Sequence, residues 1–325
     1  MRVAKALALG CGLAVLPVLT VAQARPQEAP PGPQPLSTIK GAEYTLEKWA
    51  DGVYLATGGT GSQSCVVVND QDVLLFDVGT TPGGARALMQ DVRLVTDKPV
   101  RTVVNSHFHY DHAFGNGAFS PDVEIIGSRY TQTAIKTFDT LHREPFLSWI
   151  NRAQGENLER SKEIAPIPPS VVVDSRTVLK KGSREIQLLF LGRGHTAGDL
   201  VMFLPKERIA CSGDLIEGGI SYMGDGYFDD WVKTLEALKQ LDWTVCLPGH
   251  GRPFSDKAHV TALQSYLTDV VDQVARIRAK NVPAEEALKL LDLSSHEKDW
   301  LPRMRPLDIR GMRRIYQWLE ERAAQ

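Results

Sequence analysis

The chain is short of three things: cysteine, charge of one sign, and long apolar runs. It carries four cysteines in 325 residues, too few for a disulfide framework. Lys and Arg total 37 against 39 Asp and Glu, a formal charge of −2, with no basic block or stripe. That balance excludes nucleic acid as a partner, because neutralising phosphates takes clustered Lys and Arg. The leading apolar run, residues 6–20, falls short of the ~20 residues that span a bilayer, which excludes stable membrane insertion. With Arg2 and Lys5 before it and Ala22-Gln23-Ala24 at its end, residues 1–24 read as a secretory signal peptide cleaved near Ala24. A periplasmic or secreted location is therefore expected. Residues 25–42 open on "RPQEAPPGPQPL", an extended proline-rich spacer.

What remains is ordinary globular material, 43% hydrophobic and 23% charged. From residue 43 short strands follow one another: "YTLEKWADGVYLAT", "SCVVVND" and "VLLFDVG", with a hairpin turn at Asn69–Asp72. A helix opens at Pro82, and "VRTVVNS" is a buried strand. Residues 143–170 lack periodicity and hold four prolines, as a lid or substrate-shaping insertion does. Strands resume up to "RIACSGD", then helix "DWVKTLEALKQL", strand "TVCLPGH", a long helix over 256–280 and a last helical stretch over 284–323. Two runs of hairpins, each followed by αβ units, point to two mixed sheets packed face to face with helices outside. The three cysteines beyond the signal, Cys65, Cys211 and Cys246, sit in apolar strands and read as buried small hydrophobes. A Cys211–Cys246 disulfide stays open if their strands lie side by side.

Histidine is scarce too, eight in all, yet three fall in "NSHFHYDHAFGN" with an aspartate: His107, His109, Asp111 and His112. Burying such a cluster costs free energy unless its members share protons or a metal. Residues two apart in an extended segment point the same way, so His107 and His109 can grip one ion. Asp111 and His112 fall where the chain turns, offering a carboxylate and an imidazole to a second. Three more candidates stand at strand-to-loop junctions beside glycine: His195 in "LGRGHTAGD", Asp214 in "IACSGDL" and His250 in "CLPGHGRP". Between them, "IEGGISYMGDGYFDDW" offers Tyr222, Met223 and Tyr227 as pocket walls, or else a surface loop with Asp229 or Asp230 capping the next helix. Tyr110 lies between ligands and faces the pocket or packs beneath it. Trp231 reads as helix core; His142, His259 and His296 read as surface residues without partners.

In "FDVG", "NSHFHYDHAFGN", "GRGHTAGDLV", "CSGDL" and "LPGHG", in that order, the chain resembles the metallo-β-lactamase superfamily over residues 43–255, leaving 256–325 as a C-terminal helical extension. The resemblance implies an α/β fold, an αββα four-layer sandwich with a binuclear metal site at one edge. His107, His109 and His195 would hold the first metal. Asp111, His112 and His250 would hold the second, Asp214 would bridge both, and Asp77 of "FDVG" would support the ligand loop from behind. Five imidazoles and two carboxylates suit two Zn²⁺, with Fe or Mn also compatible. The expected activity is hydrolysis of a small-molecule lactam, ester or thioester by a metal-bound hydroxide, with Asp111 passing the proton to the leaving group. The ligand set is more like glyoxalase II than the best-known β-lactamases. Those carry Cys at the place of Asp214 and a carboxylate-binding Lys at the place of Glu217. A dedicated periplasmic β-lactamase, an iron-dependent persulfide dioxygenase and an inert metal-binding fold are the other readings. The C-terminal helices would cover the sandwich, shape the cleft or mediate a dimer.

Overall fold

Alternation of side chains along the strands builds the molecule. In the computed structural model, residues 32–137, 159, 162–300 and 307–324 are described; the signal segment, the first part of the spacer and much of the 143–170 insertion lie outside them. One sheet has eight strands in sequence order: β1 (Ser37–Lys40), β2 (Tyr44–Ala50), β3 (Val53–Gly58), β4 (Ser64–Val68), β5 (Val73–Phe76), β6 (Val100–Val104), β7 (Glu124–Ser128) and β8 (Val171–Val173). The first five are antiparallel, and β5 through β8 pair in parallel. The second sheet holds β9 (Arg176–Lys181), β10 (Arg184–Phe190), β11 (Leu200–Leu204), β12 (Ile209–Gly213) and β13 (Val245–Pro248), with only β12 and β13 parallel.

Odd and even positions go to different layers, as a period of two requires. Cys65, Val67, Leu74 and Phe76 meet Ile186, Leu188, Met202 and Cys211 between the sheets. Val66, Val73 and Leu75 face the other way, onto helix α1 (Pro82–Val92) through Ala85 and Leu88. Thr81 caps α1, its hydroxyl accepting from Gly84 N at 3.0 Å, and Pro82 supplies a first turn that needs no donor. Short helices α2 (Tyr110–Ala113) and α3 (Arg129–Thr137) follow β6 and β7. The outer face of the second sheet, Val201, Phe203, Ala210 and Cys246, is covered by α4 (Phe228–Gln240), α5 (Ala258–Arg278) and α6 (Ile309–Ala323). The order of layers is helix, sheet, sheet, helix, the four-layer sandwich expected. Trp231 of α4 is fully buried and its indole donates to Leu215 O at 2.8 Å.

Several expectations are corrected. The helical stretch over 284–323 is broken: single α-helical turns at Ala284–Ala287 and Glu297–Trp300, 3₁₀ segments at Leu288–Leu290 and Ser294–His296, and α6. His296 is buried, its Nε2 3.0 Å from Asp269 Oδ2, and His259 is half-buried with Nε2 2.8 Å from Glu217 O; His142 lies outside the described residues. Neither Asp229 nor Asp230 caps α4, whose cap position is Tyr227. The disulfide is Cys65–Cys211, joining β4 to β12 across the inter-sheet core. Register explains why Cys246 is not the partner. Cys211 sits opposite Leu247, whereas Cys246 sits opposite Ala210, so the two thiols point to opposite faces of one sheet. Burial pushes the Cys246 thiol up to about 12, against a hydrogen bond with Ser212 Oγ.

The bridge closes a loop across a sequence separation of 146 residues, which removes much entropy from the unfolded chain. Replacing Cys65 and Cys211 together by alanine should lower unfolding stability by about 2–4 kcal/mol in a denaturant titration. Unchanged stability would show that packing alone holds the sheets.

Candidate metal centre

The ligand loop starts where β6 runs out. Val103 and Val104 are buried strand residues, Asn105 and Ser106 end the run, and His107 follows. Asp77, just past β5, fixes what comes next. Its backbone occupies the left-handed region, φ +63°, which Asp tolerates better than most residues. Its Oδ1 accepts from Ser106 N at 2.7 Å, and its Oδ2 lies 2.8 Å from His112 Nδ1. One buried carboxylate thus anchors the start of the loop and holds a proton on His112 Nδ1, turning Nε2 toward the centre.

The second sheet supplies the other side. Beyond β10, His195 is held in a tight turn where Thr196 N and Oγ1 donate to Asp199 at 2.9 and 2.6 Å. A Cβ on Gly194 would stand 2.5 Å from Leu215 and 3.1 Å from Trp231, so a larger residue here would push on the buried side chains beneath the loop. Burial pushes the Asp199 carboxyl up to about 7, against the Thr196 donors. β12 delivers Asp214, and β13 delivers His250 through Gly249, where a Cβ would meet Asp214 Oδ1 at 2.3 Å and His112 Cε1 at 2.7 Å. All seven sequence-derived residues meet at this sheet edge. Their donor atoms form three overlapping groups, each within 4.8 Å: His107, His109 and His195; His107, His112 and Asp214; Asp111, His112 and His250.

The contacts inside these groups call for cations. His107 Nε2 and His195 Nε2 lie 2.9 and 3.0 Å from the same atom, His109 Nδ1, and one ring nitrogen cannot satisfy two others. Among the described residues Asp214 Oδ1 is buried without a hydrogen-bond partner, an expensive state for a polar atom, and the contact of His112 Nε2 within the centre is with the other oxygen of the same carboxylate. Asp214 Oδ2 stands between the groups, 3.2 Å from His112 Nε2, 3.6 Å from His250 Nε2 and 3.8 Å from His195 Nε2. Neutral imidazoles on one side and two added carboxylates on the other form a nitrogen and oxygen donor set that fits two divalent ions.

The two halves differ in charge. Burial, then the neighbouring imidazoles, holds His107 well below its ordinary value; burial, then His109, takes His195 down to about 3. In the other half carboxylates overcome burial. Asp214, Asp77 and Asp111 hold His112 well above its ordinary value, and Asp214 and Asp111 raise His250 to about 9. Reciprocally, and against burial, His112 and His250 hold Asp111 and Asp214 below the usual carboxylate range.

Sequence reasoning missed Asp225. Its Oδ2 lies 2.8 Å from His109 Nε2, doing for His109 what Asp77 does for His112. Its loop is clamped by Arg314 of α6, whose Nε donates to Gly226 O at 3.0 Å, and by Tyr227 N donating to Gly194 O at 2.9 Å. The only sequence signal was an acid among glycines between two ligand segments. Of the proposed pocket walls, Tyr222 stands at the centre, its ring 5.7 Å from His109 and 6.4 Å from His195. Tyr110 is half-buried beside Phe108 and Phe114. Met223 is instead 2% exposed in the core under α6, drawn there by its apolar side chain. Tyr227 is sandwiched by Arg193 and Arg314 at 4.5 and 5.0 Å, a packing position.

Residues 58–250 match the family model of the metallo-beta-lactamase superfamily. The chain is 25% identical over 217 residues to the 2,4-dinitroanisole O-demethylase alpha subunit of Nocardioides sp. (strain JS1661), covering 65% of this chain and 56% of that protein. It is 22% identical over 269 residues to the linear primary-alkylsulfatase of Pseudomonas sp. (strain ATCC 19151), covering 72% and 51%. The chain therefore spans about half the length of these relatives. In fold it is similar to the stereoselective inverting sec-alkylsulfatase of Pseudomonas sp., with TM-score 0.69 and 15% identity over 84% of this chain and 49% of that one.

Two outcomes follow from the geometry. Asp77→Asn or Asp225→Asn should each weaken ion retention about 10–100-fold, measured by competition with a chelator. A change below twofold would mean that the carboxylates do not orient the imidazoles. Ions also compete with protons for His112 and His250, both raised, and much less for His107 and His195, both lowered. Metal titration at decreasing pH should therefore lose one ion first while the other stays; simultaneous loss of both would contradict this asymmetry.

Proposed function

Because the chain belongs to the metallo-beta-lactamase superfamily, we propose that it is a two-ion hydrolase, zinc being the expected metal, that attacks a lactam, ester or thioester carbonyl of a small molecule. The observation that carries this reading is the convergence of seven donor side chains with mutually unsatisfied ring nitrogens at one sheet edge. When bound, divalent ions supply Lewis acidity to the scissile group and lower the pKa of the attacking water.

The chain's own residues do the rest. His107, His109 and His195 form one holding set, and Asp111, His112 and His250 the other, with Asp214 between them. Asp77 and Asp225 orient the imidazoles, so little reorganisation remains when the transition state forms. Among the seven, His107, His112, His195 and Asp214 are buried, whereas the Asp111 side chain is 22% exposed. Its Oδ2, 3.0 Å from His250 Nε2, is the carboxylate oxygen placed to take the proton of the attacking water and return it to the leaving group. Tyr222 gives the substrate a wall beside His109 and His195. Glu217 is buried near His250, whose proton it helps retain. A negative side chain there disfavours a substrate carboxylate at that spot, and with it specialised lactam turnover. By their names the two relatives act on an alkyl sulfate and an aryl methyl ether, both cleaved at a bond to oxygen, which favours an ester-type substrate. The Cys65–Cys211 disulfide supports an oxidising compartment outside the cytosol.

Elemental analysis of the purified protein should find close to two zinc per chain, falling in Asp214→Ala. That variant should also lose about 100-fold or more in rate on whichever member of a panel of carboxylic esters, thioesters, alkyl sulfates and lactams the parent hydrolyses. One iron per chain, with oxygen uptake on persulfides, would overturn the hydrolase.

A further inference from the structure

The C-terminal helix brings a cation to the rim of the centre. Arg310 lies in the first turn of α6, where the helix dipole disfavours positive charge, so helix stability does not account for it. Asp308 fixes its plane: Asp308 Oδ2 accepts from Arg310 Nε and Nη2 at 2.9 and 2.6 Å, while Oδ1 is taken by Gly311 N at 2.9 Å as the helix cap. The guanidinium lies over the Tyr222 ring, 4.7 Å from its centroid. That ring in turn packs on His109 and His195, so a single aromatic separates Arg310 from the ligand imidazoles. The Arg310 side chain is 41% exposed, and no hydrogen bond among the described residues falls on its Nη1.

We propose that Arg310 anchors a carboxylate carried by the substrate on the Tyr222 side of its scissile bond. This rests on the hydrolase reading and narrows it to anionic substrates. A planar guanidinium whose far edge is held by Asp308 presents its free edge to a planar carboxylate, and the stacked Tyr222 limits its swing. The arrangement also answers Glu217. Where Glu217 would repel a carboxylate near His250, Arg310 attracts it beside Tyr222, so substrates would enter in one orientation, with the anionic end toward α6.

The test uses the zinc-loaded protein and a matched pair of thiols, 4-mercaptobutyrate and 4-mercaptobutan-1-ol, with affinities from isothermal titration calorimetry. Sulfur ligates the ions in both, and only the acid can use Arg310. The parent should prefer the acid by about tenfold or more. Arg310→Gln should abolish that preference while leaving the alcohol's affinity unchanged, and Arg310→Lys should keep part of it. No preference in the parent, a preference that survives Arg310→Gln, or an equal loss for both thiols would overturn the proposal; equal loss would mean that Arg310 merely holds Tyr222. Thiol binding needs no turnover, so this outcome is separate from whether any ester is hydrolysed.

Discussion

The site depends on one buried carboxylate, Asp77, and its two hydrogen bonds. It sits outside the donor set, yet it ties the end of β5 to the loop after β6 and selects the proton position on His112. Without it, the three histidines of that loop would still be close in sequence, but nothing would force His112 Nε2 to face Asp214. The left-handed backbone at Asp77 is the local strain that brings the carboxylate under the loop, and such strain persists only where surrounding contacts over-determine it. Asp225 repeats the device on His109 from the other sheet. The two carboxylates therefore orient two imidazoles of the same loop from opposite sides.

What the sequence made legible follows from how local each signal is. The spacing of His107, His109, Asp111 and His112 encodes its own geometry, because a strand end and a turn decide where four consecutive-range side chains point. His195, Asp214 and His250 were each ambiguous alone and became readable as a set of strand ends. Layering was legible from alternation, and α1, α4 and α5 from apolar periodicity and their ends. Asp225 was not, because an aspartate in a glycine-rich loop looks the same in sequence whether it meets solvent or an imidazole. The Cys65 partner was invisible for a related reason: which strand faces which across two sheets is a property of the closed sandwich, not of either strand. Residues 284–323 misled because the break at 291–293 holds neither glycine nor proline and is fixed instead by Gln273 of α5, which bonds both Asp292 N and Asp292 O.

The C-terminal helix α6 belongs to the site as well as to the core. Met312 and Ile315 bury into the layer over the second sheet, Arg314 holds the loop that carries Asp225, and Arg310 reaches Tyr222. A helix that supplies packing, loop position and rim charge at once couples substrate choice to a segment far from the ligands in sequence. Variation in its first two turns would retune the cleft while leaving the donor set intact.

The donors are shared between the sheets: four residues follow β6, and three follow β10, β12 and β13. An ion held by both groups is therefore a second clasp across the sandwich, at its open edge, while Cys65–Cys211 is the clasp within it. The two differ in what controls them. A ligand that binds only the folded state adds stability that grows with the logarithm of its free concentration, whereas the covalent clasp answers to redox poise. The resistance of this fold to unfolding is consequently a function of its surroundings: a metal-poor medium and a reducing one each release a different clasp between the same two sheets.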